Sequence, residues 1–387
     1  MRIAIVTDYY YPALGGITEH VHGQAMSLHR RGHEVTVIAG NVFRPPKVTD
    51  PGYAPEKDVP FEIIRMGLSV SLYGNGAQTL NTLHPLMYWK LKKLFRERRF
   101  DVIHTHAPYN PSFVQVVPFV APKRSVTVGT FHSVFPKTLH MNVAAPFLRP
   151  SIARLDGRIV VSEACIDSLK PYFPFEYTVI PNGIDETHFT PCAEPFPEFK
   201  DGRQNILYLG RFDPRNGLDT TIKAFTKLRR ERGDTVRLIV VGDGPLRPYY
   251  TRMVPDDVAT SVVWAGRVNW DRPRYFASAD VLCTPCERAS FGMVLLESMS
   301  CGVPVVASRI SGFQLVMEHE RQGLMIPKAT DAKAFAEGLT TLLDDENLRR
   351  CMGAEGRRTA VEHYSWTSLA ERLEAYYCGL IRERRGA

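Results

Sequence analysis

The 387-residue chain reads as an α/β protein made of two doubly wound halves. Short apolar runs alternate with segments of helical period along its length, the pattern of parallel strands joined by right-handed crossovers. The alternation begins again after Pro181-Asn182-Gly183, and both halves open on a strand, a loop and a helix. The length suits two or three domains at about 100–200 residues each. With 44% apolar and 23% charged residues the composition is globular, which excludes a disordered or collagen-like chain.

In the first half Arg2–Thr7, Glu34–Ala39, Asp101–Thr105, Ser125–Thr130 and Arg158–Val161 read as strands. A loop ending in Gly15-Gly16 leads into a helix from about Ile17 to Arg31, with Ile17, Val21 and Leu28 on its apolar face and Gly32 as its stop. Asn41–Pro60, rich in proline, reads as a long surface loop. Second-half strands are predicted at Asn205–Gly210, Arg237–Gly242, Val262–Ala265, Val281–Thr284, Val303–Ala307 and Leu324–Pro327, with Thr190–Gly202 as a surface connection. The helix after Arg211–Gly217 carries Ile222 and Phe225 inward. Open α/β sheets bind ligands at the carboxyl ends of their strands, so the site is expected in a cleft between the halves.

A membrane-spanning helix needs about 20 mainly apolar residues. The longest uncharged stretch of interest, Ala107–Pro122, contains four prolines. MRIAIVTD is too short for a signal-peptide core and reads as the first strand. The net charge, 48 − 41 = +7, favours anionic partners. Most of the excess lies between Pro85 and Arg99, where Lys90, Lys92, Lys93, Arg96, Arg98 and Arg99 face only Glu97, a local +5. Met87, Leu91, Leu94 and Phe95 form an apolar stripe there, Lys90, Lys93 and Arg96 lie off it, and Tyr88 and Trp89 add amphipathic rings suited to a lipid headgroup region. Seven cysteines without an export signal read as free thiols of a reducing compartment. Cys283 and Cys286 form a lone CxxC, read as thiols beside a buried strand end rather than a zinc site.

Gly15-Gly16 before a helix lets backbone N–H groups approach a phosphate, where the helix N-terminus adds positive charge. Gly242-Asp243-Gly244-Pro245 lacks the third glycine of a nicotinamide fingerprint, since Arg247 stands there, and reads as a turn near a bound nucleotide. In Arg211-Phe-Asp-Pro-Arg215-Asn216-Gly217 two guanidinium groups suit a diphosphate. Ser290 is expected to cap a helix, with Glu297 two turns on and on the same face, placed to accept hydrogen bonds from ribose or sugar hydroxyls or else to form a structural salt bridge. His132 ends a strand in Thr130-Phe131-His132 and suits a sugar hydroxyl or a shared proton. His104 and His106 are read as pointing to opposite faces of their strand, which speaks against a shared metal.

Taken in order, these segments resemble the retaining GT-B glycosyltransferases of family four. The resemblance rests on Gly15-Gly16, Thr130-Phe131-His132, Val161-Ser162, Pro181-Asn182-Gly183-Ile184-Asp185, Gly210-Arg211-Phe212, Gly242-Asp243-Gly244-Pro245 and Ser290-Phe291-Gly292 leading to Glu297. Within the family, Tyr9, the spacing from His132 to Lys137 and the basic segment are most similar to phosphatidylinositol mannosyltransferases. The resemblance implies two Rossmann-like domains facing a cleft: residues 1–181 for the acceptor, with 365–387 crossing back to them, and residues 182–364 for the donor. It implies a nucleotide-sugar donor, GDP-mannose by preference, a phosphoinositide or other glycolipid acceptor, retained configuration, no cofactor and no catalytic metal, and no nucleic-acid partner.

By that resemblance His132 and Arg211 are catalytic. Gly15, Gly16, Arg211, Arg215, Asn216, Gly242, Gly244, Ser290, Phe291, Gly292 and Glu297 hold the donor, and Tyr9 and Lys137 the acceptor. Trp89, Lys90, Lys92, Lys93 and Arg96 meet an anionic membrane, placing the protein in the cytoplasm on the inner face. Two positions depart from the family pattern, Asn216 where a lysine is usual and Ala289 where a glutamate is usual; Arg215 and Glu287 stand close enough to compensate. A sugar-nucleotide epimerase of similar fold, or a non-catalytic nucleotide- or lipid-binding relative, is the alternative.

Overall fold

The computed structural model describes residues 1–42, 58–74, 77–133 and 139–386. Most of the expected loop Asn41–Pro60 therefore lies outside the described residues, as does Lys137; Asn41 and Val42 belong to a strand. The chain divides into two compact units, with the chain crossing between them after Gly183 and after Ser365.

The first unit carries β1 (Arg2–Thr7), β2 (Glu34–Val42), β3 (Glu62–Gly74), β4 (Ala77–Leu83), β5 (Val102–His106), β6 (Val126–Phe131), β7 (Gly157–Val160) and β8 (Thr178–Val179). They form one sheet in the order β4-β3-β2-β1-β5-β6-β7-β8. Every pairing is parallel except β3 with β4, an antiparallel hairpin at the sheet edge that the sequence reading missed. Neighbouring β1 and β5 lead in opposite directions across the sheet, which makes their carboxyl ends the topological switch point. β1 and β5 are buried almost throughout, as strands covered on both faces must be.

The helix Gly16–Arg30 lies within a residue of its predicted limits, and Gly32 takes φ 82° just past its end. The C-terminal helix Trp366–Gly386 belongs to this first unit. It buries Trp366, Leu369, Ala370, Leu373 and Tyr377, and its rim is pinned where Arg31 meets Glu371 at 2.9 Å and Glu374 at 2.6 Å.

The second unit carries β9 (Gln204–Leu209), β10 (Val236–Val241), β11 (Val262–Gly266), β12 (Val281–Thr284), β13 (Val305–Ser308) and β14 (Gly323–Ile326), in the order β11-β10-β9-β12-β13-β14, all parallel. This is the doubly wound order of a Rossmann fold, and its switch point lies between β9 and β12. One apolar cluster on Phe225, Leu238, Leu339 and their neighbours fills one face; another, on Ile239, Leu296, Met299 and Phe313, fills the other. Cys283 and Cys286 are buried free thiols, and burial pushes the Cys283 thiol up to about 12, so the CxxC is packing.

Candidate active site

In the second unit three loops leave the carboxyl ends of neighbouring strands and are stitched together by backbone hydrogen bonds. The Phe212 N–H donates to the Asp243 carbonyl at 3.1 Å, joining the loop after β9 to the turn after β10. The Glu287 N–H donates to the Arg215 carbonyl at 2.8 Å, joining it to the loop after β12. Two glycines make this approach possible. A Cβ at Gly217, where φ is 72°, would stand 2.0 Å from the Pro285 carbonyl oxygen, and one at Gly242, where φ is 142°, would stand 1.9 Å from that of Gly210. Gly244 follows against Phe212.

Arg211 is exposed at the head of this junction. The Asn216 side-chain amide donates to the Arg211 carbonyl at 2.9 Å, so the departure from lysine here closes the loop on itself rather than projecting a cation. Arg215 lies 3.5 Å from Asp213. The helix after β12 starts later than expected. It runs Met293–Ser300 with Gly292 at its N-cap in the left-handed region, so Ser290 is not the cap, and Phe291 is buried instead. The physical reason is close packing: Gly312 backs so tightly onto Ala289 and Ser290 that the chain turns only at Gly292. Since Ser290 precedes the helix, it does not share a helical face with Glu297. Glu297 is buried and paired with Arg272, which also donates to the Asn269 carbonyl and lies over the Phe189 ring. Arg272 carried no signal in the sequence, because it is distant from Glu297 along the chain.

In the first unit Gly15 caps the helix Gly16–Arg30, and both glycines are exposed, leaving the first helical N–H groups open. Tyr9 stands just past β1, its hydroxyl accepting from the Asn110 side chain at 3.2 Å. Beside it Asp8 is fully buried, accepting from Ser112 Oγ at 2.6 Å and from the Thr82 N–H at 2.8 Å; burial lifts its carboxyl to about 6. In the sequence Asp8 is only the last residue of MRIAIVTD, just past the first strand.

The expectation for His104 and His106 is overturned. Residues two apart in a strand share a face, and the two rings stack with centroids 4.6 Å apart and 14° between planes. His106 Nδ1 lies 2.9 Å from His132 Nε2, and His20, one turn beyond the glycine pair, sets its ring edge-on to His132 at 4.8 Å. Burial pushes His20 down to about 4 and His104 to about 3, and holds His106 and His132 well below the ordinary histidine value. All four imidazoles are therefore neutral at pH 7. His20, His106 and His132 each offer a ring nitrogen within 4.8 Å of the others, the one group among the described residues able to hold a metal ion.

The basic segment forms the helix Met87–Glu97. Its stripe is spent on the unit's own core: Met87, Leu91 and Phe95 are buried against Ala4, Val6, Ile38 and Ile103. The apolar stripe is thus not available to a membrane. Facing outward are Trp89, 63% exposed, with Tyr88, Lys90, Lys93 and Arg96; Lys92 lies 5.5–5.6 Å over the Tyr88 and Trp89 rings. Lys90 Nζ meets His84 Nε2 at 2.8 Å and Lys93 meets Glu97 at 3.8 Å. No helix among the described residues is long and apolar enough to cross a membrane.

Two Rossmann-like units, each with glycine-bearing or basic loops at the switch point, are the architecture of the GT-B fold, and the comparisons with known proteins give the family. Residues 14–188 match Glycosyltransferase Family 4, and residues 203–345 match Glycosyl transferases group 1. The chain is 32% identical over 383 residues to the phosphatidyl-myo-inositol mannosyltransferase of Mycolicibacterium smegmatis, covering 97% of this chain and 93% of that one. It is 27% identical to the GDP-mannose-dependent alpha-(1-6)-phosphatidylinositol monomannoside mannosyltransferase of Mycobacterium tuberculosis, covering 98% of each. Among solved structures, sucrose-phosphate synthase from Thermosynechococcus elongatus superposes with a TM-score of 0.74 at 20% identity, covering 99% of this chain and all of that one. The Anabaena protein HepE, solved with UDP and glucose, reaches 0.73 at 16%, covering 97% and 99%. The chain belongs to the family 4, group 1 glycosyltransferases, and it is a glycosyltransferase enzyme.

Proposed function

We propose that this enzyme transfers mannose from GDP-mannose to a phosphoinositide or closely related glycolipid, with retention of configuration. The observation that carries the reading is the similarity, over 97% of the chain, to a phosphatidyl-myo-inositol mannosyltransferase. The related GDP-mannose-dependent enzyme acting on a phosphatidylinositol mannoside supports the choice of donor. The second unit is assigned the nucleotide sugar: Gly242 and Gly244 lie by the nucleotide, Arg211, Arg215 and the turn Ser290–Gly292 by the diphosphate, and Glu297 accepts the ribose hydroxyls. The first unit is assigned the acceptor, with Tyr9 and Lys137 beside it, Gly15 and Gly16 facing the leaving phosphate, and His132 on the transferred sugar.

Fixed donors aimed at the charge that grows on the leaving diphosphate lower the barrier without reorganising. Retention, as the family resemblance implies it, fits a same-face displacement: the bond from the sugar anomeric carbon to phosphate oxygen breaks, the acceptor oxygen takes its place, and its proton passes to the leaving diphosphate. No cofactor or metal enters this scheme. The outward basic and aromatic face of the helix Met87–Glu97 supports peripheral docking on the anionic inner face of a membrane.

The test is calorimetric binding of GDP-, UDP- and ADP-sugars. GDP-mannose is expected to bind at least about tenfold tighter than the others; a clear preference for a UDP- or ADP-sugar would overturn the donor assignment. An epimerase would convert the sugar nucleotide without any acceptor, so unchanged donor after incubation alone separates the two.

A further inference from the structure

The four buried histidines are a larger structure than one sugar contact needs. His106 closes β5 and His132 follows β6, and the parallel pairing of those strands sets His106 opposite Thr130. Neither ring can turn freely. His106 lies between two stacked neighbours, His104 at 4.6 Å and His132 at 5.2 Å. His104 is itself held, its Nδ1 2.5 Å from the Tyr377 hydroxyl of the C-terminal helix and its Nε2 2.7 Å from Thr130 Oγ1.

A neutral imidazole carries one N–H and one bare nitrogen. Of the two nitrogens facing each other at 2.9 Å, His106 Nδ1 and His132 Nε2, one must donate. The two arrangements are not equivalent. If His132 donates, His106 keeps its proton on Nε2, which is buried and has no partner. If His106 donates, that orphaned position is a bare nitrogen. Buried N–H groups without a partner are rarer than under-satisfied acceptors, so the second arrangement wins. His132 then accepts at Nε2 and bears its own proton on Nδ1.

We propose that His106 is a positioning residue: it donates to His132 Nε2 and fixes the tautomer in which His132 offers its Nδ1–H to a hydroxyl oxygen of the donor sugar. This rests on the assignment of His132 to the sugar. Nothing in the resemblance of the sequence singled out His106, and the hydrogen bond gives it a role through His132 alone.

Nitrogen-15 NMR of the selectively histidine-labelled wild-type protein at pH 7 reads the tautomer directly, with His132→Gln used to assign the signal. His132 is expected protonated on Nδ1; protonation on Nε2, the commoner form of histidine in water, would overturn the proposal without any variant having to fold. His106→Leu is expected to lower kcat about tenfold while leaving GDP affinity unchanged by calorimetry, and His106→Asn, whose amide can donate from near the Nδ1 position, to restore most of the loss. Full turnover in His106→Leu beside an inactive His132→Ala would overturn the positioning role and leave His132 in place. Full turnover in His132→Ala would instead remove His132 from the reaction itself.

Discussion

Arg211 sits exposed just past β9, where the loops after β9, β10 and β12 are laced together, and its carbonyl is held by Asn216. Losing one preorganised charge-stabilising donor costs about 100-fold or more in turnover. Arg211→Ala is therefore expected to fall by at least about 100-fold in kcat at saturating donor, and near-wild-type kinetics would remove it from the diphosphate. Glu297 needs more care. A structural salt bridge was one of two readings the sequence allowed for it, and the fold supplies the partner, half-buried Arg272. Glu297→Gln is expected to weaken nucleoside diphosphate binding in calorimetry while the circular dichroism spectrum stays native. Unchanged affinity would make the Arg272 pair its whole purpose.

Among the elements, the parallel strands were legible because both of their faces are covered, so each reads as a short apolar run: β1 and β12 fall on their predicted limits. The hairpin of β3 and β4 was not. β4 is the edge strand, and β3 turns at Gly67 with φ 78° while its register against β2 shifts between Ala39 and Asn41, so only the short run Leu68-Ser69-Val70-Ser71-Leu72 alternates evenly along it. The histidine cluster was legible in part and misread: His104 and His106, two apart in a strand, share a face, whereas His20 joins them only through the helix after the glycine pair. The glycine pair and the Arg211–Gly217 loop were legible because turns and phosphate-suited loops need particular residues at adjacent positions.

The helix Met87–Glu97 shows how packing narrows a sequence-based expectation. With its stripe facing the core, the proposed docking on lipid rests on the charges and on Tyr88 and Trp89. Exposed charges are screened over about 8–10 Å at ordinary salt. Sedimentation with anionic vesicles is expected to weaken steeply as salt rises, and replacing Lys90, Lys92, Lys93 and Arg96 with serine should abolish it yet spare donor binding. Vesicle binding that survives this change at moderate salt would exclude the helix as the docking surface.

At the scale of the whole molecule, stability should depend on pH through groups buried neutral. The histidines have folded values far below their unfolded one, so the unfolded chain binds more protons and stability falls as pH drops below about 6.5, by about 1.4 kcal/mol per pH unit for each fully titrating group. Asp8, lifted to about 6, acts with the opposite sign: its contribution is present at low pH and lost as pH rises from about 4 through 6. The histidines outnumber it, so urea midpoints are expected to fall between pH 6.5 and 4, and Asp8→Asn to steepen that fall. A midpoint independent of pH over this range would mean that the histidines are not held neutral.

The C-terminal helix closes the molecule in the same sense, returning to the first unit to place Tyr377 against His104 and Trp366 against His20 at 4.9 Å. The proposed reaction moves mannose from a guanine nucleotide to an inositol lipid. Incubation of the purified protein with GDP-mannose labelled in the sugar and with phosphatidylinositol vesicles tests it most directly. The account predicts that label enters the lipid fraction with an equal amount of GDP released, and that the new glycosidic bond keeps the configuration of the donor. GDP-mannose left intact beside phosphatidylinositol, while another nucleotide sugar or a soluble acceptor is consumed, would contradict it.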